Sequence, residues 1–370
     1  MKANIIYRTF LNYDGKGACV GGIQTYLKNL SLLLIEIGYE VCIYQKGYEN
    51  FIVNYEGIIV NGYKMTSQEE KEPAKFLYKK CHDNSDKNDL LIFGDDIYIQ
   101  KNDYKRSIAI QHGIFWDKPN RVGCSQTMFL LDYVMKAVRS WKIISRIKMV
   151  DQVVCVDHNF VNWYRALVAH PQAELKVIPN FSQIPERQIE KKDDIINIIF
   201  ARRFFDYRGT RIFADAIEKI LNEYKNINVT VAGDGPDKEY LHIKLEKFEN
   251  VSFITYKSDE SLKVHSDKHI AIIPTLGSEG TSLSLLEAMA SHCAVICTNV
   301  GGMTNIVIDK YNGLMINPDE RKLYKSIKLL LDNKKLIEQL SNRAYDTVKN
   351  SFSLTKWKNS WKEVINNLAE

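Results

Sequence analysis

Ser278-Glu279-Gly280-Thr281-Ser282-Leu283-Ser284-Leu285-Leu286-Glu287-Ala288-Met289-Ala290 places two carboxylates eight residues apart, around a glycine and several hydroxyl side chains. Just upstream, Ile270-Ala271-Ile272-Ile273-Pro274 is a short apolar run closed by proline, the pattern of a buried parallel strand. Thr275 to Gly280 is a polar connection. Thr281 or Ser282 is placed to cap a helix running through Leu285, Leu286, Ala288 and Met289 to about His292. Ala294 to Cys297 reads as the next strand. The segment is therefore strand, loop, helix, strand, and in open α/β sheets ligands sit at the carboxyl ends of the strands.

This arrangement suits a nucleoside diphosphate carrying a sugar. Unpaired backbone amides at a helix start can hold the diphosphate. Glu279 in the loop and Glu287 about two turns further on can each accept hydrogen bonds from sugar hydroxyls. An acid at the depth of Glu287 is expected to face the ligand or solvent, because a buried unpaired one is costly. Two glutamates alone would be ordinary surface residues. The whole string, however, resembles the E-x7-E segment of retaining GT-B glycosyltransferases, in family 4 (GT4, the group 1 glycosyltransferases), which includes bacterial O-antigen, lipopolysaccharide and capsule transferases.

Length and composition agree with that class. A chain of 370 residues suggests two domains, and 45% apolar content is ample for two cores. The seven cysteines form no C-x-x-C pair, and Cys42, Cys155 and Cys297 lie in strand-like runs. Buried free thiols in a reducing compartment are expected. No window has transmembrane length, and the expected location is the cytoplasm, with peripheral contact at the inner face of the membrane. The net charge of +5 is uneven. Between Lys118 and Val150, seven basic residues stand against one acid, Asp132, with Trp141, Ile143, Ile144 and Ile147 interleaved. A basic helix of this kind can meet anionic lipid. The spread of its apolar residues around the helix argues for partial burial within the protein. No nucleic-acid motif accompanies the charge.

The alternation of strands and helices appears twice. Asn4–Tyr7 is a strand, and Gly21-Gly22 opens a helix carrying Ile23, Tyr26, Leu27, Leu30, Leu33, Leu34 and Ile37. Strands follow at Val41–Tyr44, Leu90–Phe93, Ile108–Gln111 and Val153–Val156. The polar stretch Pro185–Asp194 reads as a linker. Strands then resume at Ile195–Phe200, Val229–Ala232, Val251–Ile254, Ile270–Ile273, Ala294–Cys297 and Leu314–Ile316. The fold class is α/β, with two doubly wound Rossmann-like domains facing across a cleft. The expected boundaries are an acceptor-binding domain over residues 1–183, a donor-binding domain over 184–351, and a helix over 352–370 that packs back onto the first.

The resemblance extends to other segments and implies further roles. Phe200-Ala201-Arg202-Arg203-Phe204-Phe205-Asp206-Tyr207-Arg208-Gly209 is similar to the segment in which an Arg and a Lys clamp the donor diphosphate. Arg202 and Arg208 take those places; Arg208 replaces the usual Lys, and Arg203 leaves the register open by one. Cations there offset charge on the leaving nucleotide. Val231-Ala232-Gly233-Asp234-Gly235-Pro236 resembles the family's turn after a strand, as Val300-Gly301-Gly302 resembles its loop near the donor. Gly22 corresponds to the loop at the first helix, and His112, in Gln111-His112-Gly113, to a histidine beside the donor sugar. Donor contacts are thus expected from Gly22, Arg202, Arg208, Gly233, Glu279, Gly280, Thr281, Ser282, Leu283 and Glu287, with His112 and Glu279 at the reacting centre.

The implied reaction moves a sugar from a nucleotide-sugar, with UDP as the expected nucleotide, to a hydroxyl of a glycan with retention of configuration. A lipid-linked oligosaccharide is the expected acceptor. No D-x-D pair occurs, so no metal and no other cofactor are expected. A GT-B epimerase or phosphorylase, or a non-catalytic nucleotide-binding partner, are the competing readings. Donor turnover without acceptor, or demand for pyridoxal phosphate, would mark the first two.

Overall fold

The computed structural model describes the chain apart from residues 20, 120–125, 169, 171–172, 187–190, 192–193 and 369–370. The chain divides into two compact units. The first comprises Met1–His112, Leu130–Ile178 and Lys358–Glu370; the second comprises Gly113–Phe129 and Pro179–Trp357. Each carries its own sheet. Much of the segment read as a linker, residues 187–190 and 192–193, lies outside the described residues. Lys191 in that segment is held there, its ammonium donating to the carbonyls of Ser291 at 3.0 Å and His292 at 2.6 Å.

The first unit is built on β1 (Lys2–Ile6), β2 (Glu40–Lys46), β3 (Phe51–Tyr55), β4 (Ile58–Tyr63), β5 (Leu90–Phe93), β6 (Arg106–Gln111), β7 (Gln152–Cys155) and β8 (Glu174–Val177). Their order across the sheet is β3-β4-β2-β1-β5-β6-β7-β8, parallel except for the β3–β4 hairpin. Every residue of β5 and β7 is buried, as parallel strands covered on both faces require. The covering helices include α1 (Gly22–Glu36), α2 (Pro73–His82), α3 (Gln126–Ile147) and α4 (His158–Leu167). In α1 the apolar residues recur at helical spacing, and Tyr26, Leu27, Leu30, Leu33 and Leu34 are buried.

The second unit is built on β9 (Ile196–Ala201), β10 (Ile227–Ala232), β11 (Val251–Ile254), β12 (Ile270–Ile273), β13 (Ala294–Thr298) and β14 (Leu314–Ile316), all parallel, in the order β11-β10-β9-β12-β13-β14. Helices α5 (Thr210–Glu223), α6 (Lys238–Leu245), α7 (Ser261–His265), α8 (Leu283–Ala290), α9 (Glu320–Leu331) and α10 (Lys334–Ser351) flank it. One core cluster packs Phe200, Phe213, Ile217 and Ile220 with Leu323 and Ile327. The other packs Ile199 and Ile273 with Leu285, Leu286 and Met289 of α8. This second core fixes α8 beneath the carboxyl ends of β9 and β12.

The last helix, α11 (Leu354–Asn367), buries Trp357, Trp361, Val364 and Ile365. Trp357 packs on Phe181 in the second unit, with ring centroids 4.5 Å apart. One turn on, the Trp361 indole donates to the Tyr26 hydroxyl in the first unit at 2.9 Å. Lys358 and Lys362 both reach Glu36. The two tryptophans are therefore packed in protein and leave no apolar stripe for a membrane. Cysteines 42, 81, 155, 293 and 297 are buried free thiols.

Helix α3 departs from its expected burial. Only Ile143 and Ile147 are enclosed, whereas Leu130, Leu131, Tyr133 and Trp141 are 63 to 68% exposed. Among the described residues no helix is long and apolar enough to cross a membrane.

Candidate functional site

Strand β9 ends at Ala201, and the next residue, Arg202, is buried. Its guanidinium is saturated by side chains from the β12–α8 segment. One terminal nitrogen donates to Ser282 Oγ at 3.0 Å and to the Ser284 hydroxyl. The other donates to Thr275 Oγ1 at 2.7 Å and to Glu279 Oε2. Arg208 reaches the same carboxylate oxygen from the short turn Asp206–Arg208 that precedes α5. Thr275 Oγ1, accepting from Arg202, donates in turn to Glu279 Oε2 at 3.1 Å. Two cations thus converge on one buried carboxylate. Burial alone would push the Glu279 carboxyl up, but Arg202 and Arg208 outweigh it and hold it down to about 2.

Arg202 points into the cluster; Arg203 is exposed and lies over the ring of Phe205. Arg208 lies 5.0 Å from the ring centroid of Tyr207, and Lys118 lies 4.2 Å from the same centroid. Lys118 thereby brings a second cation to the Tyr207 ring.

The loop carrying Glu279 is held by unusual backbone. Ser278 has φ 59°, a left-handed conformation, and its N–H donates to Asp117 Oδ1 at 2.6 Å. Behind Glu279 runs the turn Gly301–Asn305, whose Gly302 N–H donates to the Glu279 carbonyl at 3.1 Å. At Gly301, φ is +54° and an added Cβ would sit 1.9 Å from that carbonyl oxygen. The Val300-Gly301-Gly302 segment is therefore a backing plate for Glu279, and only glycine fits there. Gly233 similarly lies against the Arg202 carbonyl, where a Cβ would meet the oxygen at 2.0 Å. The turn containing it also accepts from Phe204 N–H through the Asp234 carbonyl at 2.8 Å, so it helps set the chain carrying Arg202.

Ser282 is the N-cap of α8 but caps with no side-chain bond, because its hydroxyl accepts from Arg202 instead. The helix also stops at Ala290, short of the expected His292, which has φ 53°. Gly280, Thr281, Ser282 and Leu283 lead from Glu279 into the first turn of α8. Glu287, in the same helix, is half-buried and does not simply face solvent. It accepts from Ser261 Oγ at 2.6 Å, and burial pushes its carboxyl up against the opposing pull of that bond and of Arg202. Burial, then Glu287, pushes the nearby Tyr256 phenol up to about 12.

In the first unit, Gly22 is the exposed first residue of α1, and Gly21 at the cap position makes no side-chain bond. His112 follows β6; its Nε2 lies 3.0 Å from the Gly94 carbonyl. A carbonyl can only accept, so Nε2 carries the proton and Nδ1 is the acceptor. Burial lowers its pKa, opposed by Asp95, so the ring is neutral at pH 7. It packs edge-on against Tyr26, centroids 5.1 Å apart, the same tyrosine that receives the Trp361 indole.

Thr275, Ser284, Ser261, Tyr207 and Lys118 are contacts the sequence reading had not assigned. Thr275 sits just past the proline that closes β12, the place where ligands are expected, and could have been found on that ground. Nothing local marks Ser261.

Two groups predict how this unit responds to acid. His265, the last residue of α7, is buried, and burial pushes it down to about 4. An unfolded histidine titrates near its ordinary 6.5. Between those values the unfolded chain binds more protons, so stability falls as pH falls, by about 3 kcal/mol. Glu279 acts next: its stabilisation is complete above 4.5 and is lost as pH falls toward 2. Thermal melts between pH 8 and 3 are expected to show the first drop just below pH 6.5. A His265→Gln variant should lose most of that first step, leaving the share of His292, and keep the second.

Among the described residues, no three His, Cys, Asp or Glu side chains gather where they could hold a metal ion. Residues 182–347 match the family Glycosyl transferases group 1. The chain is 25% identical to an uncharacterized glycosyltransferase of Methanocaldococcus jannaschii, over 94% of each chain. It is 24% identical to the lipopolysaccharide 1,2-N-acetylglucosaminetransferase of Salmonella typhimurium, over 39% of this chain and 43% of that one. The crystal structure of HepE from Anabaena in complex with UDP-glucose superposes with a TM-score of 0.71, at 14% identity, over 99% of this chain and all of that one. At that identity the match shows the fold, which is GT-B.

Proposed function

We propose, for a chain whose residues 182–347 match the glycosyl transferases group 1 family, a retaining, metal-independent glycosyl transfer of the GT4 type from a UDP-sugar to a glycan hydroxyl. The observation that carries this reading is the pair of buried and half-buried arginines, Arg202 and Arg208, converging on Glu279 just before α8. A dianionic diphosphate is the ligand that uses two such cations together with amides at a helix start. Arg202 and Arg208 bind the phosphates, and Gly233 lets the turn after β10 approach them. Gly280, Thr281, Ser282 and Leu283 offer backbone amides. Glu279 accepts from the donor sugar and Glu287 from the ribose. His112, neutral and with Nδ1 as acceptor, serves a sugar hydroxyl, and Gly22 keeps the start of α1 open to substrate.

The bond from the anomeric carbon to the phosphate oxygen breaks, and one to the acceptor oxygen forms on the same face. The acceptor proton passes to the departing phosphate. Charge accumulates on that phosphate, so the arginines stabilise the transition state more than the ground state. UDP as donor is supported by the HepE complex with UDP-glucose. A lipid-linked oligosaccharide acceptor in cell-surface polysaccharide synthesis is supported by the likeness to the lipopolysaccharide transferase.

A thermal-shift screen against UDP-, GDP-, ADP- and dTDP-sugars tests this. UDP-sugars are expected to raise the melting temperature by about 5 °C at saturation, unchanged by EDTA. Stabilisation by none of the four, or only with added divalent metal, would overturn the assignment.

A further inference from the structure

The exposed half of α3 is inverted relative to an ordinary surface helix. At about 100° per residue, Leu130, Val134, Val138 and Trp141 fall along one line, flanked by Leu131 and Tyr133. All six are exposed, Trp141 and Tyr133 by 68% each. The line opposite them carries Asp132, Lys136 and Ser140, followed by the buried Ile143 and Ile147. Asp132 and Lys136 pair at 2.8 Å, so the polar residues lie toward the protein and the apolar ones toward solvent. A contiguous apolar face of this size on a soluble domain marks an interaction surface.

The charges beside it select the partner. Arg139 and Lys142 are exposed along one edge of the apolar face, and Lys148 is exposed just beyond the helix end. Arg146, on the same side, is anchored to the Ile97 carbonyl at 3.1 Å, which fixes its charge there. No acid lies on this edge between Arg139 and Lys148. A second copy packed on the same face by two-fold symmetry would set these cations against their own equivalents. An anionic bilayer meets both features: apolar side chains enter the acyl boundary, while arginine and lysine stems reach to lipid phosphates. Tyr133 and Trp141 are the amphipathic rings favoured at that depth.

We infer that α3 lies in the plane of an anionic bilayer, with Leu130, Val134, Val138 and Trp141 inserted and Arg139 and Lys142 on headgroup phosphates. This rests on the proposed lipid-linked acceptor, and it assigns the element that brings the chain to such an acceptor. The full-length chain should co-sediment with phosphatidylglycerol-containing vesicles, and far less with phosphatidylcholine alone. A Leu130→Ser/Val134→Ser/Trp141→Ser variant should bind at least about tenfold more weakly. An Arg139→Glu/Lys142→Glu variant should lose the preference for anionic lipid, and high salt should do the same to the wild type. These side chains are exposed, so both variants should keep the wild-type melting temperature and its rise with UDP.

Absence of vesicle binding, equal binding to both lipids, or binding unaffected by either variant would overturn the inference. So would a lipid-free dimer in sedimentation velocity that the triple variant abolishes, since a second copy would then own the face. UDP stabilisation without vesicle binding would sink this inference alone. Vesicle binding without stabilisation by any nucleotide would sink the proposed function and leave α3 as a membrane element.

Discussion

Replacing Glu279 with glutamine is expected to cut sugar transfer at least about a hundredfold while strengthening the hold on free UDP. In the present structure the Glu279 carboxylate is the counter-ion of both Arg202 and Arg208. A diphosphate must share those cations with it. With glutamine the amide still fills the space but no longer balances the charge, so the free protein should lose about 3–5 kcal/mol, the usual cost of orphaning a buried ion pair. UDP then restores the missing charge. The ligand-free melting temperature should drop, and the rise on adding UDP should exceed that of the wild type. Calorimetric titration and melts with and without UDP check this. Equal affinity and an unchanged ligand-free melt would show that Glu279 is not the resting counter-ion.

Arg202→Lys should be nearly as damaging as Arg202→Ala. The guanidinium serves four partners at once: Thr275 and Glu279 from one terminal nitrogen, and Ser282 and Ser284 from the other. An ammonium is a compact charge with three donors and cannot span that fork. Loss of about 10³ in turnover is expected for either variant, with UDP affinity also reduced. Arg208→Lys is the contrast. Arg208 bonds Glu279 from a half-buried turn, so lysine there should retain most activity. Steady-state kinetics on the three variants separate the roles. Near-normal turnover in Arg202→Lys would mean that only charge matters at that position.

Much of this was legible in the sequence, for physical reasons. Parallel strands buried on both faces read as short apolar runs, so β1, β2, β5, β6, β9, β10, β12 and β13 stood out. The β3–β4 hairpin did not. Its turn is made by Glu56 and Gly57, at φ 53° and 86°, and glutamate is not a residue that announces a left-handed turn. The site string was readable because its two acids, glycine and hydroxyl residues lie in one local segment. What spacing could not supply was the use made of each hydroxyl. Ser282 looked like a helix cap and is instead a ligand of Arg202. Glu287 was expected to face ligand or solvent, and its bond to Ser261, a residue far from it in sequence, was not foreseen. For α3, composition disclosed both the charges and the apolar residues, but not that the latter would be left uncovered.

The bond between Trp361 and Tyr26 joins residues 335 positions apart. Synthesis is vectorial, and the first unit takes its final segment, Lys358–Glu370, only after the whole second unit has been made. The ring that packs edge-on against His112 therefore waits for its indole partner until the second unit has been synthesised. Until then Tyr26 presents a buried hydroxyl without that donor, and α1 lacks the cover of Trp361. A growing chain so arranged acquires the ordered surroundings of His112 only after the second unit has emerged. Loop-closure entropy over that separation makes the step slow relative to helix formation. Nascent chains that have not yet passed Trp361 should consequently stay open to proteolysis around α1 well after β1, β2 and β5 have paired.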